Sequence, residues 1–398
     1  MIFDFIHSMY SVVIGITIGV IIFVFLLATP VENIQNQHIV QNNNKNTIPT
    51  KKVFSETKKT STQKNKVGQL VNHNNKNNKK EKTHNLKTIS DTLHKAKEDL
   101  ILILSENKNK TKTNYDLINQ SSRLALVNIL CTSKSGGSFN PISGSGVIID
   151  KRGVILTNAH IGEYFLLENY PYNGFLNCIV RTGSPASSSY DATLLYISPT
   201  WIKNNADSIT SQDPKGTGEN DFAILLINSS LKKGKALPKE FPYIATDISN
   251  SNNTVGSPVL IVGYPAGFLG GTAIQKNLYQ ASAFTNIKNI YTFSKTTTDL
   301  VSVGGSIIAQ KGSSGGGIIS TITSKLLGIV VTSSSAFSTS DRDLNAITLA
   351  HINRSILKDI GVTLNDFLSS NLTGTTKHFN TNMQPGLTKI LEDAINKK

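Results

Sequence analysis

Three short segments of the 398-residue chain carry side chains that could act together on an acyl group. Residues 153–160 (GVILTNAH) end at His160, residues 220–227 (NDFAILLI) put Asp221 at the head of an apolar run, and residues 312–319 (GSSGGGII) set Ser314 in a glycine-rich turn. A serine hydroxyl is a weak nucleophile near neutral pH and needs a base within hydrogen-bond reach, for which imidazole has a suitable pKa. A carboxylate behind the imidazole fixes its tautomer and stabilises the imidazolium that forms on proton transfer. The glycines allow a turn in which the N–H groups of Gly312 and Ser314 both face a developing oxyanion, and Gly315 and Gly316 are expected to leave room for a substrate backbone. Singly, each segment is ordinary, since an Asp before an apolar run is commonly a turn residue. Their order along the chain, His…Asp…Ser, gives them weight together.

The same serine turn fits a second pattern. Residues 312–316 also satisfy G-x-S-x-G, and Asp341 or Asp343 and then His351 follow in the order Ser…Asp…His. That arrangement requires a strand, a sharp turn and a helix. The residues after Ser314 (GGGIISTITSKLLGIVVTS) alternate like a β-hairpin instead, and no run of βα units surrounds them.

The elements that must hold these residues are short. From Leu124 onward the chain is a series of β-runs such as LALVNILC, GSGVIID, DATLLYIS, SPVLIVGY and KLLGIVVTS, punctuated by Gly, Ser, Asn and Pro. That grammar predicts an all-β barrel or sandwich. Residues 352–360 (INRSILKDI) predict a helix packed on it, and apolar positions 86, 89, 93, 96, 100, 103 and 104 follow a helical period.

The N-terminal third reads differently. Residues 9–28 hold no charged side chain, and twenty helical residues span about 30 Å, the thickness of a bilayer core. The flanking residues MIFDFIHS lack Lys and Arg and no A-x-A-like site follows, so an uncleaved anchor is expected rather than a removed signal peptide. Residues 30–85 are rich in Asn, Lys, Gln, Thr and Ser and cannot bury enough apolar surface to fold, so they are expected to form a disordered tether. Of the formal charge of +14, ten units arise between Pro30 and Asn114, where 17 lysines face 7 acidic residues. The remainder is near neutral and shows no nucleic-acid footprint. The expected organisation is a stub at 1–8, a transmembrane anchor at 9–29 contacting the bilayer, a linker at 30–85, a helix and connector at 86–113, a folded domain at 114–363 and a tail at 364–398.

With these boxes in place, the stretch from Ala125 to Ile360 resembles the trypsin/chymotrypsin superfamily of serine peptidases, especially its bacterial extracytoplasmic, HtrA-like branch. The resemblance rests on Thr-Asn-Ala-His (157–160), Asn-Asp-Phe-Ala-Ile-Leu-Leu (220–226) and Gly-Ser-Ser-Gly-Gly (312–316). It implies two six-stranded antiparallel β-barrels with a short C-terminal helix, and a serine endopeptidase acting on proteins or peptides through an acyl-enzyme, without metal or cofactor. Catalytic roles fall on His160, Asp221 and Ser314, the oxyanion hole on Gly312 and Ser314, and substrate binding on Ile308, Ala309, Thr332 and Ser333. An apolar Ile308 and Ala309 at the base of the specificity pocket imply small or medium apolar residues at P1. The alternative is an inactive trypsin-like fold used for binding.

Departures from the family pattern are informative. Ser313 stands where digestive trypsins have an Asp that pairs with a new N-terminus, so activation of that kind is not expected. Val331-Thr332-Ser333 replaces Ser-Trp-Gly, which leaves open whether a second hydrogen bond supports Asp221. The 38 residues after Ile360 are too few for the PDZ domain of HtrA enzymes. The resemblance also makes the strands of Cys131 and Cys178 neighbours, implying a disulfide and a domain outside the cytoplasm, with reduced core thiols as the alternative.

Overall fold

The structure, a computed structural model, describes residues 94, 95, 97 and 98 and then 114–397, apart from 135–140, 212–215, 295–296, 335 and 337. The expected anchor and linker lie outside the described residues. So does most of the 86–113 segment, of which His94, Lys95, Lys97 and Glu98 are helical. Among the described residues no helix is long and apolar enough to cross a membrane.

A helix over residues 114–125 (α1) leads into the first sheet. Its strands are β1 (Leu126–Ser133), β2 (Ile142–Asp150), β3 (Val154–Thr157), β4 (Leu176–Thr182), β5 (Ser187–Ile197) and β6 (Ala223–Ser230). They close into a barrel in the order β1-β2-β3-β6-β5-β4. Closure buries both faces of several strands, which is why β1 reads as six consecutive buried residues rather than an alternation. Each fully buried Val, Leu or Ile contributes about 1.5–3 kcal/mol of transfer free energy. The β2–β3 turn needs Gly153, whose φ of 86° is left-handed, and Arg152 pairs there with Asp150 at 2.8 Å. Cys131 lies directly opposite Cys178 in the β1–β4 register, and the two are joined by a disulfide.

The second sheet corrects the expectation of another closed six-stranded barrel. It comprises β7 (Pro258–Gly263), β8 (Ala281–Asn286), β9 (Asn289–Tyr291), β10 (Leu300–Ser302), β11 (Gly317–Ser320), β12 (Leu326–Ser333) and β13 (Leu344–Thr348). Seven strands run in the order β8-β7-β11-β12-β13-β10-β9, and its two end strands do not pair with each other. The physical reason lies at the two residues between β8 and β9. The Ile287 N–H still bonds Ser257 on the β7 side (3.0 Å), whereas the Lys288 N–H bonds Ser302 of β10 (2.7 Å). One bent run of chain thus serves both ends of the sheet, and the chain, not a ladder, turns the corner.

After α1 the described α-helices are α2 (Ala159–Leu166), α3 (Pro199–Asn205), α4 (Gly271–Lys276), the expected C-terminal helix α5 (Leu349–Ile360) and, beyond it, α6 (Leu364–Ser369), α7 (Leu372–Asn382) and α8 (Gln384–Asn396). The 364–398 segment, read from sequence as a tail, is therefore mostly helical. Thr363 caps α6 with a capping box through Asp366, and Phe367, Phe379, Leu387 and Leu391 are buried in the same core as the barrel.

Candidate active site

His160 is the second residue of α2, delivered by β3 through the buried Asn158. Asp221 immediately precedes the buried Phe222 and β6, which pairs with β3 (Thr157 opposite Ala223). That pairing brings the two side chains together. His160 Nδ1 lies 2.8 Å from Asp221 Oδ2, and the His160 backbone N–H donates to Oδ1 at 3.0 Å. Asn158 Nδ2 donates to the Asp221 carbonyl at 2.9 Å. Burial pulls the His160 pKa down, but the charge of Asp221 and its hydrogen bond together outweigh this and leave it above the usual value.

Ser314 is partly exposed and sits in the turn before β11, where Gly312 (φ 91°) and Gly315 (φ 83°) take left-handed conformations. Its carbonyl accepts the Ser145 N–H at 2.7 Å, which seats the turn on β2, and the Thr157 hydroxyl donates to the Ser145 carbonyl at 2.7 Å. Ser314 is thereby tied to residues three positions from His160 along β3. Among the described residues no hydrogen bond joins Ser314 Oγ to His160. The N–H groups of Ser313, Gly315 and Gly316 donate to Gln310, Val330 and Ser313 carbonyls respectively. Those of Gly312 and Ser314, the expected oxyanion donors, have no acceptor among the described residues.

The glycines also have a packing use that was not read in the sequence. A Cβ on Gly315 would stand 2.0 Å from the Ser145 carbonyl oxygen, and one on Gly316 would stand 2.3 Å from that of Val262. They admit the close approach of β2 and β7. Ile308 and Ala309 are fully buried in the apolar core of the second sheet, and the Arg342 guanidinium donates to the Ala309 carbonyl at 2.7 Å. Thr332 is partly exposed and Ser333 exposed at the end of β12. The pattern with Asp341 or Asp343 is overturned, because Ser314 is followed by a strand and His351 pairs with Asp299.

Several residues at the site were not singled out from sequence. Ser145 Oγ donates to the Gly312 carbonyl (2.8 Å) and accepts the Tyr264 N–H (2.9 Å), joining both sheets beneath the serine turn. Its signal was the serine of GSGVIID, a buried polar residue inside an apolar strand. Glu163, one turn after His160, is 3% exposed, and burial together with the negative charge of Asp221 pushes its carboxyl well above the ordinary range. Asn220 has a φ of 57° and bonds His351 and Ser355. Val331 occupies the place where a second donor to Asp221 was in question, and its side chain packs against Gly218. No hydroxyl reaches the Asp221 carboxylate among the described residues.

Comparison with known proteins agrees with this architecture. Residues 144–329 match the trypsin-like peptidase domain family. No match was found among curated protein sequences. Solved structures that resemble the chain include the serine endoprotease from Yersinia pestis, at 22% identity over 62% of this chain and 68% of that one, with a TM-score of 0.39. Another is Deg5, at 16% identity over 63% of this chain and 97% of that one, with a TM-score of 0.40. The family match encloses the His160, Asp221 and Ser314 boxes, and residues 144–329 are similar to a trypsin-like peptidase domain.

Proposed function

We propose that the domain hydrolyses peptide bonds with Ser314 as nucleophile, His160 as general base and Asp221 as the group that orients and charges the imidazole. The observation that carries this reading is the bonded His160–Asp221 pair on a barrel to which Ser145 ties a partly exposed Ser314, whose own N–H, with that of Gly312, has no acceptor among the described residues. His160 Nε2 takes the Ser314 proton as Oγ adds to the scissile carbonyl, and the two N–H groups receive the oxyanion. His160 then protonates the leaving amine, and water discharges the acyl-enzyme by the same route. Each oxyanion donor is worth about 2.7–4 kcal/mol in the barrier. The absence of a resting Ser314–His160 hydrogen bond fits this scheme, since such bonds are often loose in free enzymes and tighten with substrate.

The pocket side of the turn favours a small apolar P1 residue, because Ile308 and Ala309 are packed into the second core and leave no acid for a basic side chain. Residues 9–29 would anchor the domain to a bilayer, with the disulfide supporting an oxidising compartment outside the cytoplasm. A fluorophosphonate probe tests the chemistry. Covalent labelling of the wild type at Ser314, abolished in Ser314→Ala and His160→Ala, is expected. A folded wild type that is never labelled would sink the assignment.

A further inference from the structure

Asp221 can orient His160 only if its own carboxylate is held still. Among the described residues no third side chain holds it; the His160 backbone N–H meets Oδ1 and the His160 ring meets Oδ2. Beyond that N–H, the carboxylate is located by its own backbone, which is tied on each side. Asp221 N–H donates to the Gly218 carbonyl at 3.3 Å, and Phe222 N–H donates across it to the Asn220 carbonyl at 2.9 Å. Asn220 itself is in the left-handed region, which is uncommon for non-glycine residues and best tolerated by Asn, and its side chain is bonded in a way that holds this turn.

Those bonds come from the other end of the chain. Asn220 Oδ1 lies 3.0 Å from His351 Nε2 and accepts the Ser355 hydroxyl at 2.9 Å, both on α5. His351 Nδ1 in turn lies 3.1 Å from Asp299 Oδ1. Asp299 is 2% exposed and is among the most heavily bonded carboxylates of the molecule. It accepts the Phe293 N–H (2.7 Å) and the hydroxyls of Thr297 (2.9 Å) and Thr292 (3.1 Å), and it pairs with Arg354. The His351 ring also packs edge-on against Phe293 at 5.2 Å. A second Asp–His pair thus stands outside the reacting groups, fixed to the second sheet and aimed at the residue before Asp221.

We infer that Asp299 and His351 are positioning residues that act through Asn220 to set the Asp221 carboxylate against His160. This rests on the triad reading above. The pair touches no substrate; it converts the rigidity of α5 and the β10 approach into the orientation of a carboxylate on the first barrel. Misplacement of a catalytic group by about 1 Å costs up to about 100-fold in rate, so the pair should bear on turnover rather than on substrate affinity.

The test uses the purified full chain, a fluorogenic peptide chosen from a library, and fluorophosphonate labelling of Ser314. His351→Phe keeps a ring against Phe293 and removes both hydrogen bonds. Asn220→Gly keeps the left-handed backbone open and removes the tie, while leaving His351, Asp299 and Arg354 in place. Each is expected to lower kcat about 10- to 100-fold and to slow labelling in parallel, with KM within about twofold. The double variant is expected to be no worse than the poorer single one, because both break the same connection. Wild-type kcat in Asn220→Gly, or losses in the two variants that multiply, would overturn the inference while leaving the triad intact. If the wild type does not label at Ser314, the triad reading falls and this one with it. Should His351→Phe fail to fold, Asn220→Gly alone decides the matter.

Discussion

Replacing Glu163 by Gln gives a sharp test of the electrostatics around Asp221. Glu163 is 3% exposed, and Oε2 has no hydrogen-bond partner among the described residues. Burial, and secondarily the charge of Asp221, raise its pKa well above the ordinary 4.5, so the folded protein carries it protonated where the unfolded chain would release the proton. The sign follows directly. Between the unfolded and folded pKa values the native state binds more protons than the unfolded state, so stability falls as pH rises, by about 1.4 kcal/mol for each pH unit at full slope. Gln has nearly the same shape and no proton to lose. The stability difference between Glu163→Gln and wild type is therefore expected to be flat below about pH 4 and to climb in favour of the variant by about 1.4 kcal/mol from about pH 5 to about pH 6. Other titrating groups, Glu168 among them at about 7, cancel in that difference. Urea unfolding at a series of pH values measures it, and for a domain of this size each kcal/mol also appears as about 2–4 °C in Tm. Parallel stability curves for the two proteins would refute the reasoning and mean that Glu163 ionises in the folded state like an exposed acid.

Two further outcomes are expected. A peptide-library profile should show small apolar residues such as Ala and Val at P1 and a depletion of Lys and Arg, since Ile308 and Ala309 supply no counter-charge and Arg342 sits against the Ala309 carbonyl; a profile dominated by basic residues would be the contrary result. Reduction of the Cys131–Cys178 disulfide, 47 residues apart in sequence, should cost about 4 kcal/mol by the chain-entropy relation, measured as the loss in urea stability of the doubly Ser-substituted protein. An unchanged midpoint would contradict that figure.

What could be read in the sequence, and what could not, divides along the range of the interactions concerned. The first barrel and the His160–Asp221 pair were legible because each depends on local apolar runs and on short motifs that end them: β3 must deliver His160, and β6 must carry Asp221 at its head. The disulfide followed once strand order was set by resemblance. The open second sheet was not legible, because its form depends on Ile287 and Lys288 pairing with different strands, and nothing in the run AFTNIKNIY marks where the ladder changes partner. The packing role of Gly315 and Gly316 was not legible for a related reason. A glycine signals close approach by something, and only the structure says that β2 and β7 are what approach. His351 drew notice for its order after Ser314, yet its partners, Asp299 and Asn220, lie 52 and 131 residues away.

The C-terminal helices extend the same logic from the carboxylate to the imidazole. Thr388 of α8 donates to the Leu166 carbonyl at the end of α2, the helix that carries His160, and α7 packs on β5 of the barrel. Tyr196 of β5 donates to Asp359 of α5 at 2.7 Å, and Arg152 at the β2–β3 turn reaches carbonyls of Leu368 and Ser370. The last 50 residues thus grip the first barrel at α2, at β5 and at the turn that aims β3, while α5 also grips the Asp221 turn through Asn220. The proposed site draws on both sheets: His160 and Asp221 come from the first, and Ser314 from the turn before β11 of the second. The relative placement of those parts cannot be secured by either sheet alone. Here it is secured twice over, by Ser145 beneath the serine turn and by the C-terminal helices behind the His–Asp pair, so on the proposed mechanism the chain beyond β13 is part of what holds the three side chains in register.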